Sequence, residues 1–586
     1  MATAAPRPSE IDVPRALVRV MEEAGLKFVF GMPGGDTGRI FDALHDSTAV
    51  RTVLVRHEQV GSIMAEMYGR LTGSPGIVMG QGIFLACNAL FGALEAVKGA
   101  SPMILLGDFT DMAPFQHHAP YQAGTGEHGN HDLRNLFASA TKYTAAVSEP
   151  KQAVQTLQYA IRHATTGTPG PVAVLFGSRS LAGTVKVDRP PRLLPTGRYL
   201  GQGVTRPAAD DVSRVAEALL RASSPVILAG NGVHAARAWA PLRRLSELAG
   251  APVATTATGK SAMAEVHPQA LGVFGNWGQA VANEVVSNAD VVLVVGSRLS
   301  PTDTCFENPE LLDADRQTFL QIDVEPLQIG RHYPVVAAVV GDAADALEAL
   351  CTEVEARLTP AQRDAVARRG AHLAELKTLH RYFAEPEQKL SDVPLRPERV
   401  ISELAARLGE RAVVTMDAGA NRLYMTHYFQ SRGAGTVYQP SSIGGMGYAV
   451  PAAMAAKLAA PDRDCVAVCG DGGFAMTMNE LLTASQEHIA MTAVILNNGV
   501  LGWVKDGQRR RSNRFIASEL GAFDHSKMAQ AMGCRGVRVE SLAQLSQALD
   551  GIRDAKEPTL IDVVTTEHAP FWQVQSPLAK EGPGGE

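Results

Sequence analysis

The chain reads as α/β, built from three doubly wound parallel-sheet domains. Short apolar runs of strand length recur from end to end, and amphipathic stretches of helical length separate them. Two Pro- and Arg-rich stretches interrupt the pattern and divide it into three. The first domain, residues 1–187, carries Phe28-Val-Phe30, Thr52-Val-Leu-Val55, Gly76-Ile-Val-Met79, Met103-Ile-Leu-Leu106 and Val172-Ala-Val-Leu175. A linker runs from Asp188-Arg-Pro-Pro-Arg192 to Thr205-Arg-Pro207. The second domain, 208–383, opens with Pro225-Val-Ile-Leu-Ala-Gly230, contains Ala289-Asp-Val-Val-Leu-Val-Val-Gly296 and Phe319-Leu-Gln-Ile-Asp323, and closes with a charged helical segment around 352–383. Beyond a second extended stretch, Glu385-Pro-Glu387 to Leu395-Arg-Pro397, lies the third domain, 396–572. The final Lys580-Glu-Gly-Pro-Gly-Gly-Glu586 has the composition of a disordered end.

Bulk properties exclude more than they assign. At 586 residues the chain is long enough for three cores of ordinary size. With 54 basic and 60 acidic residues and a net charge of −6, it lacks the basic footprint of a nucleic-acid or anionic-membrane binder. Its one basic run, Arg509-Arg-Arg511 with Arg514, fits either a solvated loop or a contact to an anionic substrate. Six cysteines are scattered without metal-ligand spacing, and Cys465 and Cys469 sit in an apolar run as small core residues. A reduced, cytoplasmic setting is expected, with no signal-like N-terminus and no apolar run approaching the roughly 18 residues that span a bilayer.

The most informative motifs lie in the third domain. Gly470-Asp471-Gly472 follows the apolar run Cys465-Val-Ala-Val-Cys469, and Asn497-Asn498 closes Thr492-Ala-Val-Ile-Leu496. In a parallel sheet, strands ending this way deliver both motifs to the carboxyl edge, where ligands sit. There the Asp471 carboxylate and the Asn498 amide oxygen can share a hard cation, because Mg²⁺ takes a few protein oxygens and fills its shell with phosphate. Gly470, Gly472 and Gly473 let backbone approach phosphates, and a helix opening near Thr477 offers free N–H groups. Each motif alone is an ordinary turn sequence. The pairing is what carries information.

These residues do not stand alone. The blocks Gly470-Asp-Gly-Gly-Phe-Ala-Met-Thr-Met-Asn-Glu-Leu481 and Ile495-Leu-Asn-Asn-Gly-Val-Leu-Gly-Trp503 are joined by Val29-Phe-Gly-Met-Pro-Gly-Gly35, Arg56-His-Glu58, Pro225-Val-Ile-Leu-Ala-Gly230 and Asp417-Ala-Gly419. In that order, and over nearly the whole chain, they resemble the thiamine diphosphate enzymes, most nearly the acetolactate synthase branch. The resemblance implies a pyrimidine-binding first domain, a central domain, and a third domain that binds diphosphate and Mg²⁺. It implies that Glu58 is the catalytic glutamate that bonds the aminopyrimidine ring. Glu58 follows an apolar run and opens a helix, a position that burial can tune and that the helix dipole also favours. Met446, in Ile443-Gly-Gly-Met446-Gly-Tyr-Ala-Val-Pro451, matches the apolar wedge between the two thiamine rings, and the Gly444 carbonyl would take a pyrimidine amino hydrogen. Gly419, Ala420 and Asn421 match a phosphate cradle, and the Val500 carbonyl a third protein ligand to the cation. In these enzymes the glutamate and the diphosphate site meet across a dimer interface, so a homodimer or a tetramer of dimers is implied.

The implied reaction is carboligation: a 2-oxoacid such as pyruvate loses CO₂ and the resulting enamine passes to a carbonyl acceptor. Gly35, Phe84, Phe115, Gln116 and Lys142 are the substrate-pocket candidates. Two departures bear on the substrate. A Ser-Gly-Pro-Gly turn of the synthases is Gly82-Ile-Phe-Leu85 here, which aligns Asn88 with the family's asparagine, and Gln-Trp-Gln is Asp506-Gly507-Gln508. The second removes a tryptophan that helps select the second 2-oxoacid. A lyase or decarboxylase acting on another 2-oxoacid, a 2-hydroxyacyl thioester or a diketone is therefore the alternative, and a catalytically silent binding subunit is a third. His117 and His118 stand near the expected pocket, with His128 and His131 in a Gly-rich loop. In the central domain Gly230-Asn-Gly-Val-His-Ala235 follows a strand. Synthases bind a non-redox FAD there and Arg298 matches one of its contacts, whereas relatives leave the domain empty or bind ADP. FAD and simple closure of a helix onto the sheet both remain open.

Overall fold

A computed structural model describes the chain apart from residues 1–8, 111–121, 128–129, 188–192, 202–204, 442, 554, 568–575 and 580–586. It divides into two units: Met1–Gly203 with Ser441–Gly444, and Val204–Pro440 with Gly445–Glu586. The first unit holds one six-stranded parallel sheet. Its spatial order is Arg51–Leu54, Phe28–Gly31, Gly76–Gly80, Met103–Phe109, Pro171–Gly177 and Tyr143–Val147. The second unit holds two more. The central sheet runs Ala270–Val273, Val253–Thr255, Pro225–Ala229, Val291–Val295, Thr318–Asp323 and Ala337–Val340. The third runs Val437–Tyr438, Val413–Met416, Cys465–Gly470, Thr492–Asn497, Thr559–Val564 and Arg535–Val539. Three parallel sheets flanked by helices are the expected α/β, doubly wound architecture.

Composition explains why these runs are strands. All seven residues of Met103–Phe109 and of Pro171–Gly177 are buried, as are all five of Val291–Val295. A strand covered on both faces needs no polar alternation, and full burial of Ile104 or Leu106 contributes about 1.5–3 kcal/mol each. Tyr143–Val147 escaped the sequence reading because it is an edge strand with a single fully buried residue. So did the antiparallel pair Glu10–Asp12 with Thr184–Lys186.

Topology places the sites. Numbered along the chain, the first and third sheets share the order 2-1-3-4-6-5, and the central sheet has 3-2-1-4-5-6. Each order reverses beside its first strand, and ligands of open parallel sheets lodge at such a reversal, outside the carboxyl ends. The reversals fall between Phe28–Gly31 and Gly76–Gly80, between Pro225–Ala229 and Val291–Val295, and between Val413–Met416 and Cys465–Gly470.

One expectation needs correction. The continuous helical stretch Gly82–Gly99 is 18 residues long with mean hydropathy 1.3, so one segment does have the length and composition to cross a membrane. It is half buried in the fold and includes Glu95, whose Oε2 accepts the Ser441 N–H at 2.7 Å. Its Gly92 packs so closely on the helix Glu58–Thr72 that an added Cβ would lie 2.4 Å from the Ser62 carbonyl carbon. Those are the features of a core helix.

Within the second unit, the central and third sheets are tied by a buried ion pair. Lys260 Nζ donates to Glu265 Oε1 at 2.6 Å and to the Thr426 carbonyl at 3.1 Å, and Glu265 Oε2 accepts the Ser431 N–H at 2.7 Å. Both side chains are 1% exposed. Burial lowers the lysine's pKa and Glu265 pulls it back up. Glu265→Gln leaves the buried ammonium uncompensated and is expected to cost about 3–5 kcal/mol in chemical denaturation; a loss under about 1 kcal/mol would contradict this role.

Candidate active site

The third sheet brings the paired motifs together. Gly470 and Leu496 are register partners on adjacent strands, so Asp471 and Asn498 leave the same edge side by side. Asp471 Oδ2 accepts the Gly499 N–H at 2.7 Å and Oδ1 accepts the Gly472 N–H at 2.9 Å. Burial raises the Asp471 pKa against the lowering effect of those two bonds, and a nearby cation would favour the charged form. Asn498 Oδ1 takes the Val500 N–H at 3.2 Å. Val500 faces Glu519 in an antiparallel bridge whose hydrogen bonds run through Gly499 and Leu501, so its carbonyl takes no part in that pairing. Among the described residues no three His, Cys, Asp or Glu side chains gather as a metal centre. A carboxylate, an amide oxygen and a carbonyl form a different donor set, one suited to Mg²⁺ with phosphate completing the shell.

Around this pair the glycines divide by role. Nothing lies within 4 Å of an added Cβ on Gly470, which leaves room for a ligand. On Gly472 it would strike Leu501 Cδ2 at 2.7 Å and sit 3.3 Å from Met446 Cε, placing the half-buried Met446 beside the Asp471 turn. The helix Asp471–Thr477 opens at Asp471 itself, with Gly470 as its N-cap, so the expected opening near Thr477 is in fact the helix's end. Gly419 has φ +97, a conformation glycine alone adopts freely, and turns the chain into the helix Ala420–Tyr428. Ala420 reaches the cation motif: an added Cβ on Gly502 would lie 3.8 Å from Ala420 Cβ and 3.4 Å from Asn498 Nδ2. Asn421 does not face a ligand with its amide nitrogen. That group is committed to the Asp417 carbonyl at 3.1 Å and the Val468 carbonyl at 3.3 Å, spanning the reversal.

The two asparagines of the motif differ. Asn497 is 6% exposed, and its Nδ2 donates to the Phe523 carbonyl and to Asp562 Oδ1, both at 2.9 Å. Asp562 is fully buried; burial pushes its pKa up, but bonds from His525, Asn497 and Arg538 hold it below the usual carboxylate value. Asn497 therefore pins the strand end that presents Asn498. The basic run is partly neutralised in place: Arg509 and Arg510 pair with Asp506, and Lys505 with Glu519 and Glu567.

In the first unit the expected glutamate opens its helix as foreseen. Glu58 is the first residue of Glu58–Thr72 and 7% exposed, and its Oε2 accepts Asn88 Nδ2 at 2.9 Å. His57 is the N-cap, its Nδ1 taking the Gln59 N–H at 3.2 Å, which accounts for it as a helix-start residue. Asn88 reaches Glu58 from a π-helical turn, Leu85–Ala89, a distortion frequent at functional sites. Phe84, on the turn before it, is 40% exposed. Gly35 has φ +55 beside Asp108, and an added Cβ would fall 2.3 Å from Asp108 Oδ2. Asp108 was missed by sequence reading. Its Oδ2 takes the Asp36 and Thr37 N–H groups and its Oδ1 the Gly82 N–H, holding together the two loops at this reversal. Only the Gly-Asp that ends the apolar run at 103–106 hinted at it.

Lys142 is not brought to that edge. It precedes Tyr143–Val147, at the amino end of the parallel sheet, and its ammonium donates to the Thr166 and Thr168 carbonyls. Phe115 and Gln116 lie outside the described residues, as do His117, His118 and His128. Gly444 belongs to the first unit and has φ +62. At the central reversal, Gly232 donates its N–H to the Gly296 carbonyl at 2.9 Å and Gly230 to that of Val295. The helix that follows, Asn231–Ala235, is five residues long. Those two amides close the loop onto the strand end.

Comparison with known proteins places the whole chain in one family. Residues 11–123 match the description "Thiamine pyrophosphate enzyme, N-terminal TPP binding domain", residues 212–350 the central domain, and residues 417–563 the C-terminal TPP binding domain. An acetolactate synthase large subunit of Corynebacterium glutamicum is 30% identical over 97% of this chain and 89% of its own length. A probable acetolactate synthase large subunit of Methanocaldococcus jannaschii is 30% identical over 94% and 91%. The mitochondrial acetolactate synthase catalytic subunit of Aspergillus candidus is 29% identical over 94% and 80%. The chain belongs to the thiamine pyrophosphate (thiamine diphosphate) enzyme family, as an acetolactate synthase-like enzyme of carbon–carbon bond chemistry.

Proposed function

We propose a thiamine diphosphate- and Mg²⁺-dependent carboligase that takes a 2-oxoacid such as pyruvate, releases CO₂ and joins the remaining fragment to a carbonyl acceptor. The observation that supports this most is the 2.7 Å bond from the Gly499 N–H to Asp471 Oδ2, which ties the Asp471 turn to the Asn498 loop at one strand edge. Asp471, Asn498 and the Val500 carbonyl would hold Mg²⁺. The N–H groups at the start of Ala420–Tyr428, with Gly419, Gly470, Gly472 and Gly473, would receive the diphosphate. Met446 and the Gly444 carbonyl would meet the ring portion. Bound thiamine diphosphate supplies a carbon nucleophile for the 2-oxo carbon and a sink for the electrons released with CO₂. Glu58 would hold the proton shared with the aminopyrimidine nitrogen, its Oε2 oriented by Asn88.

A second reading, a decarboxylase or lyase acting on another 2-oxoacid, a 2-hydroxyacyl thioester or a diketone, is favoured by two features. Phe84 is substantially exposed beside the Asn88 turn. Gly507 has open space where a side chain would stand, while one turn earlier Trp503 packs edge-on against Trp277 with ring centroids 5.9 Å apart. A non-redox FAD in the central domain and simple closure of the Gly230 turn onto the sheet are the two alternatives there, and a visible spectrum of the purified protein separates them. Self-association as a homodimer or tetramer belongs to the same reading, as does independence of nucleic acid and membrane.

Product analysis separates the two chemistries. Pyruvate alone should yield acetolactate; acetaldehyde, or no product from pyruvate but turnover of another 2-oxoacid, selects the second. Glu58→Gln should lower kcat at least 100-fold, in the range expected for a lost general acid–base group, with little change in thermal midpoint. The neighbouring asparagines should split. Asn497→Ala leaves buried partners unmatched and should cost about 1–3 kcal/mol of stability. Asn498→Ala should leave stability nearly unchanged and weaken Mn²⁺ binding, read by electron paramagnetic resonance, at least tenfold.

A further inference from the structure

Asp417 follows the strand Val413–Met416 and is 1% exposed. Its Oδ1 accepts the N–H groups of Ala418 at 2.8 Å and Gly447 at 2.9 Å, and its Oδ2 that of Ala449 at 3.0 Å. Its own N–H donates to the Val468 carbonyl at 3.0 Å, and its carbonyl takes the Asn421 amide. An added Cβ on Gly473 would sit 2.9 Å from Oδ1. One residue thus touches four segments: the Gly419–Asn421 turn, the loop carrying Met446, the start of the helix Ala449–Ala459, and the helix that begins at Asp471. Burial pushes its pKa up to about 6 even though backbone N–H groups of Ala449, Gly447 and Ala418 favour the charge. A carboxylate kept in so costly a place has to answer to geometry. The Gly447 and Ala449 amides bond it, so the 449–459 helix start is turned inward and the loop before it is fixed.

We propose that Asp417 is a positioning residue which sets Met446 against the diphosphate turn, fixing the distance between the ring-binding and phosphate-binding parts of the site. The proposal rests on the thiamine diphosphate reading. It predicts an effect on ring recognition beyond any effect on phosphate recognition. A purely structural role would not produce that split.

Asp417→Asn keeps the size but turns an NH₂ toward one of the three N–H donors. In magnesium buffer, calorimetry should show the Kd for thiamine diphosphate rising tenfold or more, while that for inorganic pyrophosphate changes less than threefold. Amides 447–449 should exchange with D₂O faster. Gly447→Ala, which strains the loop at φ +88 where its N–H meets the same carboxylate, should show the same split and serves if Asp417→Asn does not fold. Equal weakening of both ligands, or no weakening of either, overturns the proposal while leaving the cofactor reading intact. A wild-type protein that binds neither ligand overturns both.

Discussion

A single hydrogen bond, Gly499 N–H to Asp471 Oδ2, joins the ends of two neighbouring parallel strands. The rest of the third domain is arranged so that this bond falls where a ligand can reach it. The strand order reverses next to Cys465–Gly470, which opens a crevice, and Gly470 leaves its mouth unobstructed. Asn497 is anchored to Asp562, which fixes the strand end from which Asn498 follows. A buried carboxylate stands there beside the amide oxygen of the half-buried Asn498.

Buried carboxylates do the corresponding work elsewhere. Asp108 gathers the two loops at the first sheet's reversal by accepting three backbone N–H groups, and Asp417 gathers three at the third's. Both have pKa values raised by burial, and both spare their loops the cost of unpaired backbone donors. The central sheet, of a different strand order, solves the same problem without a carboxylate by pressing Gly232 against Gly296.

Much of this was legible in the sequence because parallel strands buried on both faces announce themselves as unbroken apolar runs, as in 291–295 and 465–469. Edge strands such as Tyr143–Val147 lack that mark. The places of Glu58 at a helix start and of Asp471 and Asn498 at neighbouring strand ends were readable from motif context. The roles of Asn421 and Lys142 were not, since each depends on which distant carbonyl its nitrogen meets: Val468 for one, Thr166 and Thr168 for the other. Asp108 and the anchoring function of Asp417 were hidden for the same reason. The helix start was misjudged by six residues because Gly470-Asp-Gly-Gly473 reads as loop, while in the fold glycine's small size lets the helix begin against Leu501 and Asp417.

The most direct measurement is calorimetric titration of the purified protein with thiamine diphosphate, once in magnesium buffer and once with the metal chelated. Saturable binding with magnesium that is lost on chelation is the predicted result. No uptake in magnesium, or uptake indifferent to the metal, would contradict the account.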